Sequence, residues 1–303
     1  MITDIYSRCT LCPRECGVDR YNGRGFCGEG AEVRIARAEL HKWEEPCLSP
    51  EGRSGTVFFS GCQLGCVFCQ NYQLSAEHMG FPLSERQLAD TFLRLRDMGA
   101  ENIDLVTPTH FVPSIIKALD MVKGDLGLPV IYNCGGYERP ETLELLRGYV
   151  DIFLPDMKYM DSGLSERLSH APDYFSRFGE SLNKMLEIAG KPRYDENGRL
   201  LGGVVVRHLV LPGCRHDSAA LIKWLGENFA PDSLLVSLMS QFTPVYKAAE
   251  YGLGRRTVTF EYEFAVRELQ KTGFDGFIQE RSSAEVEYIP VFYDHLYYDL
   301  SNT

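Results

Sequence analysis

No run of apolar residues in the sequence approaches the ~20 that a membrane-spanning helix needs. Basic residues are short relative to acidic ones: 31 Lys and Arg against 42 Asp and Glu leave a net charge of −11. Surfaces that neutralise nucleic-acid phosphates or anionic lipid need clustered Lys and Arg, so neither nucleic acid nor membrane is expected as the main partner. Residues 1–6, MITDIY, have neither the basic nor the apolar region of a signal peptide, and the expected location is the cytoplasm. Internal repeats and low-complexity tracts are also lacking, which excludes a repeat array.

What is present is an ordinary globular balance of 44% apolar and 24% charged residues over 303 positions, enough for one large domain or two smaller ones. Cysteine is the exception. There are ten, and eight of them precede residue 70. In a reducing compartment such clusters read as metal ligands or catalytic groups, not as disulfides.

From Thr56 onward short apolar runs alternate with helical patterns. The strand candidates are residues 56–59, 103–106, 129–132, 150–154, 204–209 and 234–238. Their Val, Ile, Leu and Phe content with little polar alternation suits parallel strands buried on both faces. Ser84 with Gln87 forms a capping box, followed by the stripe Leu88, Phe92 and Leu95. Pro113 and Pro140 suit first helical turns, residues 173–188 have helical spacing, and Asp217 is a candidate cap. Six β-α units imply an α/β fold, either an open sheet or a partial barrel, with the site at the C-terminal strand ends. Three divisions are expected: a Cys-rich N-terminal metal-binding segment (1–55), the barrel (56–245) and a mixed C-terminal extension (246–303), with a helix near 261–271.

The first strand runs into "FFSGCQLGCVFCQNYQ" (58–73), where Cys62, Cys66 and Cys69 stand in C-x3-C-x2-C spacing. Structural zinc takes four protein ligands, so three thiolates leave a coordination position open. A [4Fe–4S] cluster held by three cysteines likewise has one iron free to bind something else.

This motif, with the aromatic Phe68 before its last cysteine, resembles the signature of the radical S-adenosylmethionine (SAM) superfamily. The resemblance implies that the three thiolates hold a [4Fe–4S] cluster, whose open iron chelates SAM, and that Phe68 packs near the adenine. One electron would then cleave SAM to methionine and a 5′-deoxyadenosyl radical that abstracts hydrogen. "PVIYNCGGYE" (129–138), "VDIFLPDMKYMD" (150–161) and "VVVRHLVLPG" (204–213) resemble strands of pyruvate formate-lyase activating enzyme and its iron–sulfur homologues. That likeness covers residues 9 to about 294 and implies a partial (β/α)6 barrel.

By the same resemblance, Asp156 and Lys158 match a strand-end D-x-K that holds SAM, with a solvated loop as the bland alternative. Arg207 matches an arginine that contacts SAM, and an arginine inside an apolar strand otherwise suggests a buried salt bridge. Asn133 stands where the activases have aspartate, which weakens any monovalent-cation site, and Cys134 reads as apolar filler. "VTPTHFVP" (106–113) replaces the superfamily's Gly-Gly-Glu loop; Thr107 and Thr109 could accept from the SAM amino group, and His110 is a candidate substrate-facing base. Ser240 and Gln241 could reach the SAM ribose or a substrate.

Cys9, Cys12, Cys16 and Cys27 form C-x2-C-x3-C-x10-C, a four-thiol set that reads as structural Zn²⁺, an auxiliary Fe–S cluster, or no metal. Cys47 could replace one of the four. Glu44 and Glu45 could line a substrate entrance, with an exposed acidic pair as the default. Cys214 and His216 carry no assignment. The expected function is radical SAM hydrogen abstraction, by resemblance from a glycine of a partner glycyl radical enzyme, with a flavodoxin- or ferredoxin-type reductant. The alternatives are a small-molecule or peptide substrate, and a non-catalytic iron–sulfur or zinc scaffold.

Overall fold

The computed structural model describes residues 4–42 and 44–279. Ten strands form one sheet: β1 (Val33–His41), β2 (Ser54–Phe59), β3 (Phe81–Leu83), β4 (Asn102–Val106), β5 (Val130–Cys134), β6 (Ile152–Pro155), β7 (Arg193–Tyr194), β8 (Leu200–Leu209), β9 (Leu235–Met239) and β10 (Gly276–Ile278). Eight α-helices lie between or after them: α1 (Tyr72–Ser75), α2 (Glu85–Asp97), α3 (Val112–Val122), α4 (Pro140–Glu144), α5 (Ser162–Ser169), α6 (Tyr174–Ala189), α7 (Arg215–Asn228) and α8 (Thr259–Gln270). The strand order is β10-β9-β8-β6-β5-β4-β2-β1-β3, with β7 beside β8. Strands β2, β4, β5, β6, β8, β9 and β10 run parallel, the arrangement of an α/β partial barrel.

All six expected strands form, because both of their faces are buried as their composition requires. The Ser84 box closes as expected: Gln87 N donates to Ser84 Oγ at 3.3 Å and Ser84 N donates to Gln87 Oε1 at 3.0 Å. Asp217 departs from expectation. Cys214 takes the cap position of α7, and Asp217 accepts from the backbone N–H groups of Met160 (3.2 Å) and Asp161 (2.8 Å). A carboxylate in the first turn finds a better partner in the loop across from it than in its own helix.

The N-terminal 55 residues are not an appendage. β1 pairs antiparallel with β2, and the expected boundary at residue 55 falls inside β2. The segment before β1 lies on the barrel's flank, where Thr142 Oγ1 donates to Leu11 O at 2.8 Å and Tyr6 OH meets Ser114 Oγ at 3.2 Å. At the other end α8 packs on α7, and β10 adds a parallel strand. The rest of the expected C-terminal extension, from residue 280, lies outside the described residues.

Side chains alternate along each strand, so one face of the sheet looks into the barrel. On that face Ile131, Ile152, Leu154, Val205 and Leu235 form a small apolar floor with Cys47, Leu48 and Leu200. Cys47 and Leu48 belong to a strap that joins β1 to β2 across the N-terminal ends of the strands. Leu200 N donates to Cys47 O at 2.7 Å and Asn102 Nδ2 donates to Leu48 O at 2.8 Å, fixing the strap on two strands. Cys47 therefore sits in the barrel floor, apart from the N-terminal quartet it was considered to complete.

Candidate functional site

The loop after β2 turns at Gly61, whose φ of +82° is open to glycine at little cost. A Cβ there would fall 2.6 Å from Cys27 O, and Cys62 N donates to that same carbonyl at 3.3 Å. The N-terminal segment thus props the loop that carries Cys62, Cys66 and Cys69. All three cysteines line one cavity of about 1170 Å³. Ser169 Oγ donates to Cys66 Sγ at 2.9 Å and Leu64 N to Cys62 Sγ at 3.4 Å. Burial, then the neighbouring thiols, push Cys62 up to about 12; burial and Cys66 push Cys69 up to about 11. Such a set ionises only when a cation shares it, so the donor chemistry fits a thiolate-bound metal group.

Among the described residues no three His, Cys, Asp or Glu side chains converge tightly enough for a single metal ion. The statement also covers Cys9, Cys12, Cys16 and Cys27. Of these Cys16 is exposed and the others buried, and a Cβ on Gly25 would meet Cys16 Sγ at 3.3 Å and Cys27 Sγ at 3.5 Å. Burial, then Cys27 among the neighbouring charges, pushes Cys12 up to about 12.

Across the cavity, the ends of β5, β6 and β8 bring four polar side chains together. Asp156 Oδ2 accepts from Lys158 Nζ at 2.7 Å, and Asp156 Oδ1 from Arg207 Nε at 3.0 Å. Arg207 Nη2 also donates to Asn133 Oδ1 at 2.6 Å. Burial alone would raise the Asp156 carboxyl, but Arg207 and Lys158 hold it below the ordinary range. Lys158 and Arg207 are in turn held charged, each against its own burial. Close approach of β5 and β6 depends on Gly136, at φ +74°, where a Cβ would lie 2.3 Å from Asp156 O. Thr107 lines the same cavity with φ +58°, an unusual conformation for a β-branched residue and one typical of strained functional sites. Phe68 is buried at the cavity wall, its ring 6.0 Å from that of Phe242. Gln241 lines the cavity, whereas Ser240 is buried outside its wall.

Thr109 and His110 point elsewhere. His110 is 2% exposed, its Nε2 lies 2.6 Å from Ser60 O, and burial first, then Arg20, pushes it down to about 3. A neutral, enclosed imidazole on the far side of the loop cannot face a substrate in the cavity. Thr109 Oγ1 donates to Glu138 Oε1 at 3.0 Å and accepts from Gln63 Nε2 at 2.9 Å. Both residues follow a strand but enter a short helical turn that rotates them outward, which spacing alone does not reveal.

Their network was missed in the sequence. Glu138 also accepts from Tyr132 OH at 3.1 Å and from Gln63 Nε2 at 2.9 Å, and Gln63 adjoins Cys62. Glu138 is fully buried, and burial pushes its carboxyl up to about 8. The signal was an acid two residues past the Gly135-Gly136 turn that follows a buried strand. Asp104, an acid in the middle of buried β4, was a second such signal. The default for Glu44 and Glu45 is also corrected: both are half-buried residues of the strap and line the cavity. Cys214 and His216 lie at a separate shallow depression beside Asp217.

Residues 56–213, more than half of the chain, match the model of the Radical SAM superfamily. An uncharacterized protein of Methanocaldococcus jannaschii is 32% identical over 285 residues, covering 90% of this chain and 77% of that one. Among solved structures, a radical SAM methyltransferase from Sphaerobacter thermophilus aligns with a TM-score of 0.51 and 16% identity, over 75% of this chain and 66% of that one. SuiB of Streptococcus suis bound to S-adenosylmethionine aligns at 0.46 with 14% identity, over 75% and 47%. The chain spans less than two thirds of either solved structure. At these identities the likeness to the methyltransferase concerns the fold alone. The family match covers the strands and loops that build the cavity, and on it this chain belongs to the radical SAM superfamily, a family of enzymes whose membership implies a [4Fe–4S] cluster and SAM.

Proposed function

We propose that the chain cleaves SAM reductively and uses the product for hydrogen abstraction. One observation carries this: Cys62, Cys66 and Cys69 open on the same cavity as Asp156, Lys158, Arg207 and Asn133. A scaffold that merely stored metal would have no use for paired charges facing its cysteines. In this reading the three thiolates hold the cluster. When bound, it supplies the electron that breaks a C–S bond of SAM, leaving a 5′-deoxyadenosyl radical to take hydrogen from substrate. Lys158 and Arg207 bind the SAM carboxylate as fixed cations, with Asp156 holding both in place. Asn133 orients Arg207, Thr107 offers its hydroxyl and strained backbone to the amino group, and Phe68 covers the adenine. Gln241 serves the ribose. A flavodoxin- or ferredoxin-type protein would supply the electron. Cys9, Cys12, Cys16 and Cys27 are the set that would take zinc or an auxiliary cluster beside the first loop, were a second metal group bound.

The test is anaerobic. Protein loaded with iron and sulfide, reduced with dithionite and given SAM should release 5′-deoxyadenosine, and Cys69→Ala should not. A loaded cluster that binds SAM without ever cleaving it, whatever the added substrate, would sink the reading.

By resemblance the hydrogen donor is a glycine Cα–H of a partner glycyl radical enzyme. A second reading, a small molecule, is favoured by one observation: the cavity continues past the charged quartet to Glu44 and Glu45, closed below by the strap. A glycyl radical signal in a co-incubated partner would support the first reading.

A further inference from the structure

Cys66 differs from Cys62 in what donates to its sulfur. Cys62 Sγ accepts from a backbone N–H, that of Leu64, at 3.4 Å, whereas Cys66 Sγ accepts from the Ser169 hydroxyl at 2.9 Å. Ser169 is fully buried, as is Tyr159, whose hydroxyl lies 2.7 Å from Ser169 Oγ. A serine has one proton to give and a thiolate can only accept. Once Ser169 donates to Cys66, the Tyr159 hydroxyl is therefore the donor to Ser169. Burial first, then Cys66, pushes Tyr159 well above its ordinary range, so it keeps the proton that this direction needs.

Both hydroxyls are held in place by groups already at the site. Ser169 is the last residue of α5, where backbone carbonyls lose their helical partners. Arg14, between Cys12 and Cys16 of the N-terminal quartet, covers that end. Its Nη2 donates to Ser169 O at 3.1 Å, its Nη1 to His170 O, and its Nε to Gln63 O at 2.9 Å. One guanidinium thus ties the helix end that carries Ser169 to the residue after Cys62. Tyr159 belongs to the segment that follows β6. Its ring packs edge-on against Tyr174 with centroids 5.4 Å apart, and Tyr174 OH accepts from Lys158 N at 3.0 Å. Lys158 turns its ammonium to Asp156, while the next side chain turns its hydroxyl to Ser169.

We propose that Ser169, polarised by Tyr159, is a positioning residue that raises the reduction potential of the cluster held at Cys66. The inference rests on the reading of Cys62, Cys66 and Cys69 as cluster ligands, and it concerns reduction, not SAM cleavage. Reduction adds one electron, and the negative charge shared by the thiolate sulfurs grows. A hydrogen bond to one of those sulfurs then strengthens and favours the reduced form. Tyr159 adds to this, because a hydroxyl that accepts a hydrogen bond becomes a better donor. No proton is transferred; each stays on its own oxygen.

The measurement is the midpoint potential of protein loaded with iron and sulfide, followed by electron paramagnetic resonance at a series of poised potentials without SAM. Ser169→Ala should lower the potential. At a fixed poise its reduced-to-oxidised ratio should fall about tenfold, or about 59 mV for a one-electron couple. Tyr159→Phe should shift it the same way by less, since Ser169 keeps its own proton. The double variant should match Ser169→Ala, because Tyr159 acts only through Ser169. Ser169→Thr, which keeps a hydroxyl at that position, should stay within about a twofold ratio of wild type. A Ser169→Ala potential equal to that of wild type, or higher, as admitted water would make it, would overturn the proposal. So would a Tyr159→Phe shift that persists undiminished in the Ser169→Ala background. Wild-type protein that takes up no four-iron cluster would instead defeat the ligand reading itself, and iron analysis before the titration tells the two failures apart.

Discussion

Arg207 meets two acceptors from neighbouring segments, Asp156 just past the end of β6 and Asn133 on β5, a geometry that suits a planar fork of donors. Arg207→Lys keeps the charge and loses the fork. SAM binding should weaken roughly tenfold to a hundredfold, the cost of one or two charge-assisted hydrogen bonds, read from the SAM-induced change in the cluster's electron paramagnetic spectrum. An unchanged titration would remove Arg207 from the site. Glu138 makes a prediction of a different kind. Its ordinary ionisation lies at 4.5, but burial keeps it protonated to about 8 in the folded protein. The folded state then binds the extra proton across that interval, so this group's contribution is greatest below 4.5 and declines as pH rises toward 8. Glu138→Gln cannot ionise. The melting temperature of wild type relative to the variant should therefore fall between pH 5 and pH 8, and a constant difference would contradict the burial argument.

At the scale of elements, two cysteine segments meet at one backbone contact, Cys62 N to Cys27 O. They carry different donor counts, three against four, and their metals should be separable. Cys69→Ala should lose the iron of one four-iron cluster, whereas Cys12→Ala should keep that iron and lose any zinc or further iron, as elemental analysis would show. Loss of all metal from both variants would mean that the segments do not bind independently. The strap is the other element whose place matters. Asn102 is 1% exposed and holds it through Leu48 O, while its Oδ1 accepts from Ser54 Oγ at 2.7 Å. Asn102→Ala should cost about 2–3 kcal/mol, from two buried groups left unsatisfied. It should also raise amide exchange in residues 46–53 ahead of the barrel strands, and uniform exchange would show that the strap is held by its apolar contacts alone.

For the whole molecule, the α/β class and its reactive end follow from local pattern, whereas the choice of a barrel over an open sheet came from the resemblance. Each of the six strand segments is apolar on both faces and each helix has its stripe, so periodicity alone gives their order and the parallel sheet. The C-x3-C-x2-C loop and the strand-end Asp156, Lys158 and Arg207 were readable for a similar reason: charges and thiols stand out against buried strands, and the resemblance supplied their roles. Thr109 and His110 were misplaced because one helical turn after β4 rotates them behind the cysteine loop. Glu138 and Asp104 passed unread because a single acid in an apolar run carries no sign of what it will face. The first 55 residues were misjudged because β1 pairs with β2, a contact no local pattern encodes. None of the described helices is long and apolar enough to cross a membrane, in keeping with the hydropathy of the sequence. The sequence by itself thus determined the α/β class, the order of the strands and the thiol loop, since each depends on spacing between near neighbours along the chain. The direction in which Glu44, Asp104, Thr109 and Glu138 point, and the closing of the barrel by the strap, were decided only in the tertiary structure, because residues distant in sequence must meet before a buried charge has a partner or lacks one.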